Sequence, residues 1–162
     1  MKKIASMVLL FGLVFIMGCK PPVAYRDDVS CQSLTDAVCD RLRDEGGYAA
    51  FGDEHLRFFF SETDRYTDQS LVYTVRSENI DEIGVFHAES DGDIEELRLL
   101  CESYIKTIRE ENRAFIESYA PREAQKLDAA TVRVFGRYVV YAVLTEEDTA
   151  AAFETIEARL QK

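Results

Sequence analysis

The sequence has little positive charge to set against its acids. Its 19 Lys and Arg residues are outnumbered by 30 Asp and Glu residues, which gives a formal net charge of −11 at pH 7 over 162 residues. A chain of this charge lacks the basic surface that holds nucleic acid, and anionic lipid headgroups repel it. The composition therefore excludes nucleic acid as a partner. Any contact with a membrane must depend on something other than charge attraction.

Catalytic and cofactor motifs are also missing. The sequence contains no G-x-S-x-G, no P-loop, no dinucleotide-binding glycine fingerprint, no H-E-x-x-H and no C-x-x-C. It has two histidines: His55 follows Asp53 and Glu54, and His87 lies in a run of β-forming residues. Either imidazole could act as a general base, but no Ser or Cys is placed as its partner. We therefore expect no catalytic residue, no cofactor and no enzyme.

Acidic residues are abundant, yet they form no recognisable metal site. The run Asp91-Gly92-Asp93, followed by Glu95 and Glu96, superficially resembles a calcium loop. It lacks the alternating ligands and the closing Glu of an EF-hand. Carboxylates at this place also complement the positive end of a helix dipole. Helix capping is therefore the better interpretation, and we expect no metal.

The N-terminal segment carries the clearest positive signal. Two lysines precede an apolar run at residues 4–15, and Ile16-Met17-Gly18-Cys19 follows it. An apolar run of this length is too short to span a membrane and is typical of an export signal. The tetrapeptide resembles the lipobox of bacterial lipoproteins. That resemblance implies cleavage before Cys19 and a diacylglyceryl group on its sulfur, whereas the alternative is an ordinary secretory signal.

The domain organisation follows from this signal. We predict a lipoprotein signal peptide at residues 1–18, a lipid-anchored linker at 19–28 and a single α+β domain at 29–162. Pro21 and Pro22 stiffen the linker, which keeps the domain close to the bilayer. The remaining chain is long enough for one hydrophobic core and too short for two. The predicted location is extracytoplasmic, on the cell membrane, through the lipid on Cys19.

Three further cysteines leave their pairing open. With Cys19 lipidated, Cys31, Cys39 and Cys101 form an odd set, which cannot pair completely. Cys31 and Cys39 share a predicted helix and are too far apart to pair with each other. Either could form a disulfide with Cys101 if the first helix packs on the long helix, in an oxidising compartment. The alternative is three small buried hydrophobic residues.

The longest periodic stretch runs from Asp93 to Tyr119. Its apolar residues recur with the period of a helix, and charged residues occupy the opposite side. They are Ile94, Leu97, Cys101, Tyr104, Ile105, Ile108, Phe115, Ile116 and Tyr119. Such a helix would extend for roughly 40 Å and cross the whole domain. We expect Ile108 to be buried and Glu110 to face solvent.

Shorter elements flank the long helix. They are a helix at 30–42, an ambiguous helix or strand at 53–60, a hairpin of strands 71–76 and 83–89, a second hairpin at 131–144 and a last helix from Thr145 or Glu146. The predicted fold class is α+β. A small antiparallel sheet built from two hairpins packs against one long central helix plus N- and C-terminal helices, with the helices mainly on one face.

The register of the second hairpin can be predicted. Gly136 and Arg137 form a two-residue turn with Gly in the first central place, the type II′ signature, so that Phe135 faces Tyr138. One hairpin face is then uniformly apolar, whereas the other is half polar. Arg133, Arg137 and Tyr138 on or beside the half-polar face are the candidate binding surface. Aromatic residues at such positions serve equally well in an ordinary core.

Several of these motifs together resemble a known family. They are the lipobox, the strand DEIGVFHA at 81–88, the long helix ending in Tyr119-Ala120-Pro121, and the hairpin FGRYVVYAVL at 135–144. The resemblance is to a family of small bacterial lipoproteins, mostly from Gram-positive bacteria, known as a domain of unknown function, DUF4358. It brings no catalytic residues. Similar lipoproteins tend to be encoded near membrane-bound O-acyltransferases of cell-surface polymers.

Two functions remain in competition on these grounds. The first is a lipid-anchored cell-envelope lipoprotein that binds a protein or polymer without enzymatic activity. The alternative is an accessory component of surface-polysaccharide acylation or trimming, or a hydrolytic enzyme in that process. The expected partners are the membrane, through the lipid on Cys19, and an envelope protein or a polysaccharide-modifying membrane enzyme.

Overall fold

A computed structural model of the chain describes residues 24–43, 46–60 and 65–162. Three predictions fall outside these residues. They are the signal peptide at 1–18, the lipid on Cys19 and the first part of the linker at 19–23. No helix within the described ranges is long and apolar enough to cross a membrane.

One antiparallel sheet forms the centre of the described chain. Its strands are β1 Tyr48–Ala50, β2 Tyr66–Thr74, β3 Glu82–Ala88, β4 Thr131–Phe135 and β5 Tyr138–Val143. The five described strands lie in the order β1-β2-β3-β5-β4, and every neighbouring pair is antiparallel. The two predicted hairpins are confirmed as β2–β3 and β4–β5. Strand β1 was not predicted, because three residues are too few to show alternation.

Helices cover this sheet. They are α1 Cys31–Leu42, α2 Asp53–Phe60, α3 Ile94–Tyr119, α4 Ala124–Ala129 and α5 Glu146–Leu160. The stretch at 53–60, left open between helix and strand, is helical. Two helices begin at capping side chains: Ser30 Oγ accepts from Ser33 N, and Thr145 Oγ1 accepts from Asp148 N. The sequence analysis missed α4, whose six residues are too few for a helical period.

The helices lie on both faces of the sheet, which corrects the prediction that they lie mainly on one. Ile83 and Val85 of β3 belong to a cluster with α1 and α5. Gly84 and Phe86, which alternate with them, face the side of α3, where Phe86 joins the second cluster. Every residue of β5 is buried, and so is every residue of β3 except His87. Central strands of this kind need cover on both faces, so one layer of helices is not enough.

The predicted orientation of α3 is confirmed. Ile108 is buried in the cluster between α3 and the sheet, whereas Glu110 is exposed. Asn112 interrupts the apolar side of the helix and is also exposed. The long helix therefore presents its apolar stripe to the sheet, as its sequence period indicates.

The register predicted for the second hairpin is also confirmed. Phe135 pairs with Tyr138, and Val134 pairs with Val139. Gly136 has a φ of +59°, a conformation in which a Cβ is strained. The uniformly apolar face of this hairpin packs towards α3. Its half-polar face packs towards α1 and α5 instead of facing solvent.

The possible disulfide between Cys101 and Cys31 or Cys39 is not formed. All three cysteines are free thiols in the described structure. Cys31 belongs to the cluster on the α1 face, whereas Cys101 belongs to the cluster on the α3 face, with the sheet between them. The pairing required α1 to pack on α3, and the sheet prevents that contact. Burial raises the pKa of all three thiols, to about 11 for Cys39.

Candidate functional site

The predicted binding surface is occupied by the chain itself. We call residues 25–29 the N-terminal strap. Tyr138 is fully buried, and its hydroxyl donates to Val29 O at 2.7 Å and accepts from Val29 N at 3.0 Å. Arg137 Nε donates to Asp27 Oδ2 at 2.8 Å. Two of the three predicted residues therefore hold the strap and do not form an open binding surface.

The third predicted residue also has partners within the fold. Arg133 lies 3.6 Å from Glu157 Oε2, and its guanidinium carbon lies 4.9 Å from the centroid of the Phe135 ring. Arg133 is half exposed, so the ion pair is screened by solvent. This residue ties β4 to α5. The sequence analysis placed all three residues correctly on the hairpin but did not foresee what covers them.

The strap also shortens the predicted linker. Tyr25 forms an isolated β-bridge with Gln161, and Arg26 N donates to Leu160 O at 2.6 Å. The Tyr25 hydroxyl donates to Glu157 Oε1 at 3.0 Å. Residues 25–28, assigned to the linker by sequence, are thus docked on the folded domain.

His87, one of the two candidate general bases, contacts this strap. Its Nε2 lies 2.6 Å from Asp27 Oδ1, and its Nδ1 lies 2.9 Å from Thr67 Oγ1. Hydrogen bonds from Arg137 hold the pKa of Asp27 down to about 2, against the opposing effect of partial burial and with further help from His87. Since both ring nitrogens are engaged, His87 positions the strap.

His55, the second candidate, has a different environment. Its ring stacks on Phe51 with the centroids 3.8 Å apart and meets Tyr104 edge-on at 5.6 Å. Its Nε2 is buried and has no hydrogen-bond partner among the described residues. Burial lowers the pKa of His55, so the imidazole is neutral near pH 7. A buried ring nitrogen without a partner marks this region as unusual.

His55 lines a cavity of about 240 Å³ between α2, α3 and the sheet. Helix α3 contributes four side chains at successive turns of one side, because residues three and four apart lie on the same helix face. The lining residues are Phe51, His55, Phe59, Ile80, Glu82, Tyr104, Ile108, Asn112, Ile116, Leu127 and Val143. Most of these side chains are apolar or aromatic, which is typical of a small-molecule site.

The most unusual lining residue is Glu82, whose residue surface is 9% exposed. Its Oε1 accepts the hydroxyls of Tyr104 at 2.7 Å and of Tyr141 at 2.5 Å. Both hydrogen bonds go to Oε1, and within the described ranges nothing donates to Oε2. Burial raises the pKa of Glu82 to about 7, although the two tyrosine hydroxyls oppose this rise.

Local structure explains how Glu82 reaches the cavity. It is the first residue of β3, and its side chain points to the α3 face together with Phe86. Gly84 lies between them on the same face and opposite Tyr141 of β5. Since Gly84 has no side chain, the Tyr141 ring lies directly over it, and the Tyr141 hydroxyl reaches Glu82.

This arrangement can bind or exchange a proton. A carboxyl group with a pKa near neutrality can hold a counter-ion or act as an acid or base. The cavity lining includes no Ser and no Cys that would serve as a nucleophile. The structure places no cluster of three or more His, Cys, Asp or Glu residues suited to a metal within the part of the chain that it describes.

The sequence analysis missed Glu82 as a site residue. One signal was present, because an acid shares a strand face with Gly84, Phe86 and Ala88 in an otherwise apolar segment. His55 was found only as a histidine without a partner. The cavity itself depends on contacts between α2, α3 and β3, which no local pattern reveals.

A larger cleft, of about 560 Å³, lies beside α4 and the loop between β2 and β3. Its buried charge is Lys126, whose Nζ lies 2.5 Å from both Asp81 Oδ1 and Glu123 Oε2 and donates to Asn79 Oδ1 at 2.8 Å. Burial alone lowers the pKa of Lys126, but these carboxylates outweigh it and raise the pKa. Because Lys126 is paired with these carboxylates, we assign it a structural role.

Comparison with known proteins gives one match. The family model described as Domain of unknown function (DUF4358) matches residues 51–144. This range contains the cavity from Phe51 to Val143. No curated protein sequence and no solved structure matches the chain.

Proposed function

This chain belongs to the family Domain of unknown function (DUF4358), and we propose that it is a lipid-anchored cell-envelope protein. On this proposal its domain recognises an envelope component by binding a small chemical group in the cavity at Glu82. It binds that component without changing it chemically. The predicted lipobox supports the anchor, and the cavity supports the binding role.

The observation that carries this proposal is the free oxygen of Glu82. Burial deprives the Glu82 carboxyl group of most of its hydration, and this loss costs stability unless hydrogen bonds or an opposite charge replace it. Here Oε2 belongs to a residue that lines a cavity between aromatic side chains. A ligand that supplies the missing partner would recover the lost free energy.

The composition of the cavity favours binding over catalysis. His55 and Glu82 could exchange protons, but a hydrolytic reaction also needs a nucleophile or a positioned water. The lining side chains supply no hydroxyl or thiol other than the phenol of Tyr104, which is already bonded to Glu82. Burial and the neighbouring Glu82 raise the pKa of Tyr104, so this phenol is a poor nucleophile.

The anchor can be tested at Cys19. We expect Cys19→Ala to prevent lipid attachment and to leave the protein uncleaved or released from the membrane, because the thiol is the acylation site. Mass spectrometry of the mature N-terminus measures this directly. An unmodified Cys19, or cleavage at another position, would contradict the lipoprotein assignment and the membrane location.

The cavity can be tested at its rim, where Asn112 is both exposed and part of the lining. We expect Asn112→Phe to fill the cavity entrance and to reduce the amount of bound ligand by about ten-fold or more. The matched control is Glu111→Phe, which adds a ring about 100° away around α3 at an exposed position outside the lining. Native mass spectrometry of the protein, taken from membranes in mild detergent, measures the bound ligand.

The outcome of this comparison decides between the candidate functions. Equal ligand loss in both variants, or no ligand on the unchanged protein, would refute binding in the cavity. Recovery of the ligand in a hydrolysed form would favour the enzyme. A membrane enzyme that is retained by the unchanged protein, with no small ligand, would favour the accessory role in surface-polysaccharide acylation or trimming.

A further inference from the structure

Among the side chains that line the cavity, Glu82 alone can carry a charge near pH 7. The lining includes no Lys and no Arg. Burial lowers the pKa of His55 and raises the pKa of Tyr104, so both are neutral near pH 7. Ionisation of Glu82 would therefore place one negative charge in the cavity with no cation beside it.

The walls of the cavity are rings set at different angles. The Phe59 ring meets Tyr104 with the centroids 4.8 Å apart and the planes at 68°, and Phe51 stacks on His55. Ring faces carry the negative part of the aromatic quadrupole and attract cations, most strongly where water is excluded. Aromatic walls around a carboxylate are thus complementary to a positive group with an apolar surface.

We propose that the cavity binds the ammonium group of a small ligand, with Glu82 as its counter-ion and the rings of Phe51, Phe59 and Tyr104 as its walls. The inference rests on the proposed function and names the class of ligand. The volume of about 240 Å³ suits a group of a few heavy atoms better than a polymer. The net charge of −11 also raises the local concentration of cations.

The geometry supplies what a buried ammonium group needs. Oε1 of Glu82 is occupied by two tyrosine hydroxyls, which fix the carboxylate, while Oε2 remains open to the ligand. A primary ammonium group would donate a hydrogen bond to Oε2. A quaternary ammonium group has no donor and would rely on the charge of Glu82 and the ring faces.

The test compares choline with 3,3-dimethylbutan-1-ol, which has a neutral carbon in place of the charged nitrogen. Isothermal titration calorimetry would use the full chain in an uncharged maltoside detergent. At about pH 8 we expect choline to bind about ten-fold or more tightly than the alcohol. A second pair, n-butylammonium and butan-1-ol, tests the primary amine in the same way.

Two variants locate the effect. Glu82→Gln keeps the shape of the side chain but removes its charge. Choline and the neutral alcohol should then bind to this variant with about equal affinity. Glu111→Gln removes an equal charge from the exposed side of α3 and should leave the preference unchanged. Choline affinity should also fall between about pH 8 and about pH 6, because protons then compete for Glu82, whose pKa is about 7.

Each result has a definite meaning. Equal binding of the charged and neutral probes would overturn the ammonium inference and leave an apolar binding site. A cation preference that survives Glu82→Gln would place the cation elsewhere and also overturn it. If none of the four probes binds, the inference fails, and the Asn112→Phe comparison decides separately whether the cavity binds any ligand.

Discussion

At about pH 8, Glu82→Gln is expected to raise the free energy of unfolding by about 3 kcal/mol. The reason is the cost of burying an ionised carboxyl group. Burial raises the pKa of Glu82 from 4.5 to about 7 in the folded protein. Each unit of pKa difference is worth about 1.4 kcal/mol, and Gln carries no charge at any pH.

Because the pKa of Glu82 is raised on folding, the stability difference between Glu82→Gln and the unchanged protein depends on pH. Between pH 4.5 and about 7, the folded protein keeps the proton of Glu82, whereas the unfolded chain has lost it. Stability therefore falls as the pH rises through this range and levels off above it. Below pH 4.5, both states are protonated, and Glu82→Gln should have nearly the same stability as the unchanged protein.

Urea titrations at several pH values measure this difference. The matched control is Glu111→Gln, an exposed residue of α3, which should change the free energy of unfolding by less than about 0.5 kcal/mol at every pH. A difference between Glu82→Gln and the unchanged protein that stays constant from about pH 5 to about pH 8 would show that Glu82 titrates normally. In that case the carboxyl group would not be buried as described.

This carboxyl group links stability to binding. A protein that keeps an ionised group in an apolar cavity gives up stability that Gln would restore, which is a common property of functional sites. A cation bound at Oε2 would favour the ionised form of Glu82 and stabilise the folded protein by mass action. The cost of burying Glu82 in the absence of ligand then becomes part of the binding free energy.

The elements with strong local patterns were predictable from sequence. The long helix α3 has 26 residues, so its apolar stripe repeats often enough to fix both its length and its inward side. Gly136 fixed the register of the second hairpin, because a type II′ turn allows one pairing of the flanking strands. Both predictions depended on residues close together in the chain.

The arrangement of the layers and the site could not be predicted in this way. An amphipathic helix shows which of its sides is buried but not which face of a sheet it covers. The sequence analysis therefore placed the helices mainly on one face, whereas α1 and α5 cover the face opposite α3. Glu82 meets Tyr104 across 22 positions of sequence and Tyr141 across 59. Only the paired strands and the packed helix bring these three residues together.

The last prediction concerns Gly84, where we expect an effect on stability as large as that of Glu82→Gln. A Cβ at this position would lie 2.0 Å from Cε1 of Tyr141, whose ring is fully buried. The ring also touches Tyr104 and is held by its bond to Glu82, so it cannot move aside without disturbing the cavity.

Gly84→Ala should therefore lower the free energy of unfolding by about 3 kcal/mol or more, as measured in urea. The control, Gly92→Ala, adds a methyl group whose nearest neighbour is Ser90 Oγ at 3.5 Å, and it should change stability by less than about 0.5 kcal/mol. Combining Gly84→Ala with Tyr141→Leu should destabilise less than the sum of the single changes, because the smaller side chain leaves room for the methyl group. Additive effects, or a Gly84→Ala protein as stable as the control, would show that the Tyr141 ring does not lie over Gly84. The position of both tyrosine hydroxyls at Glu82 would then need revision.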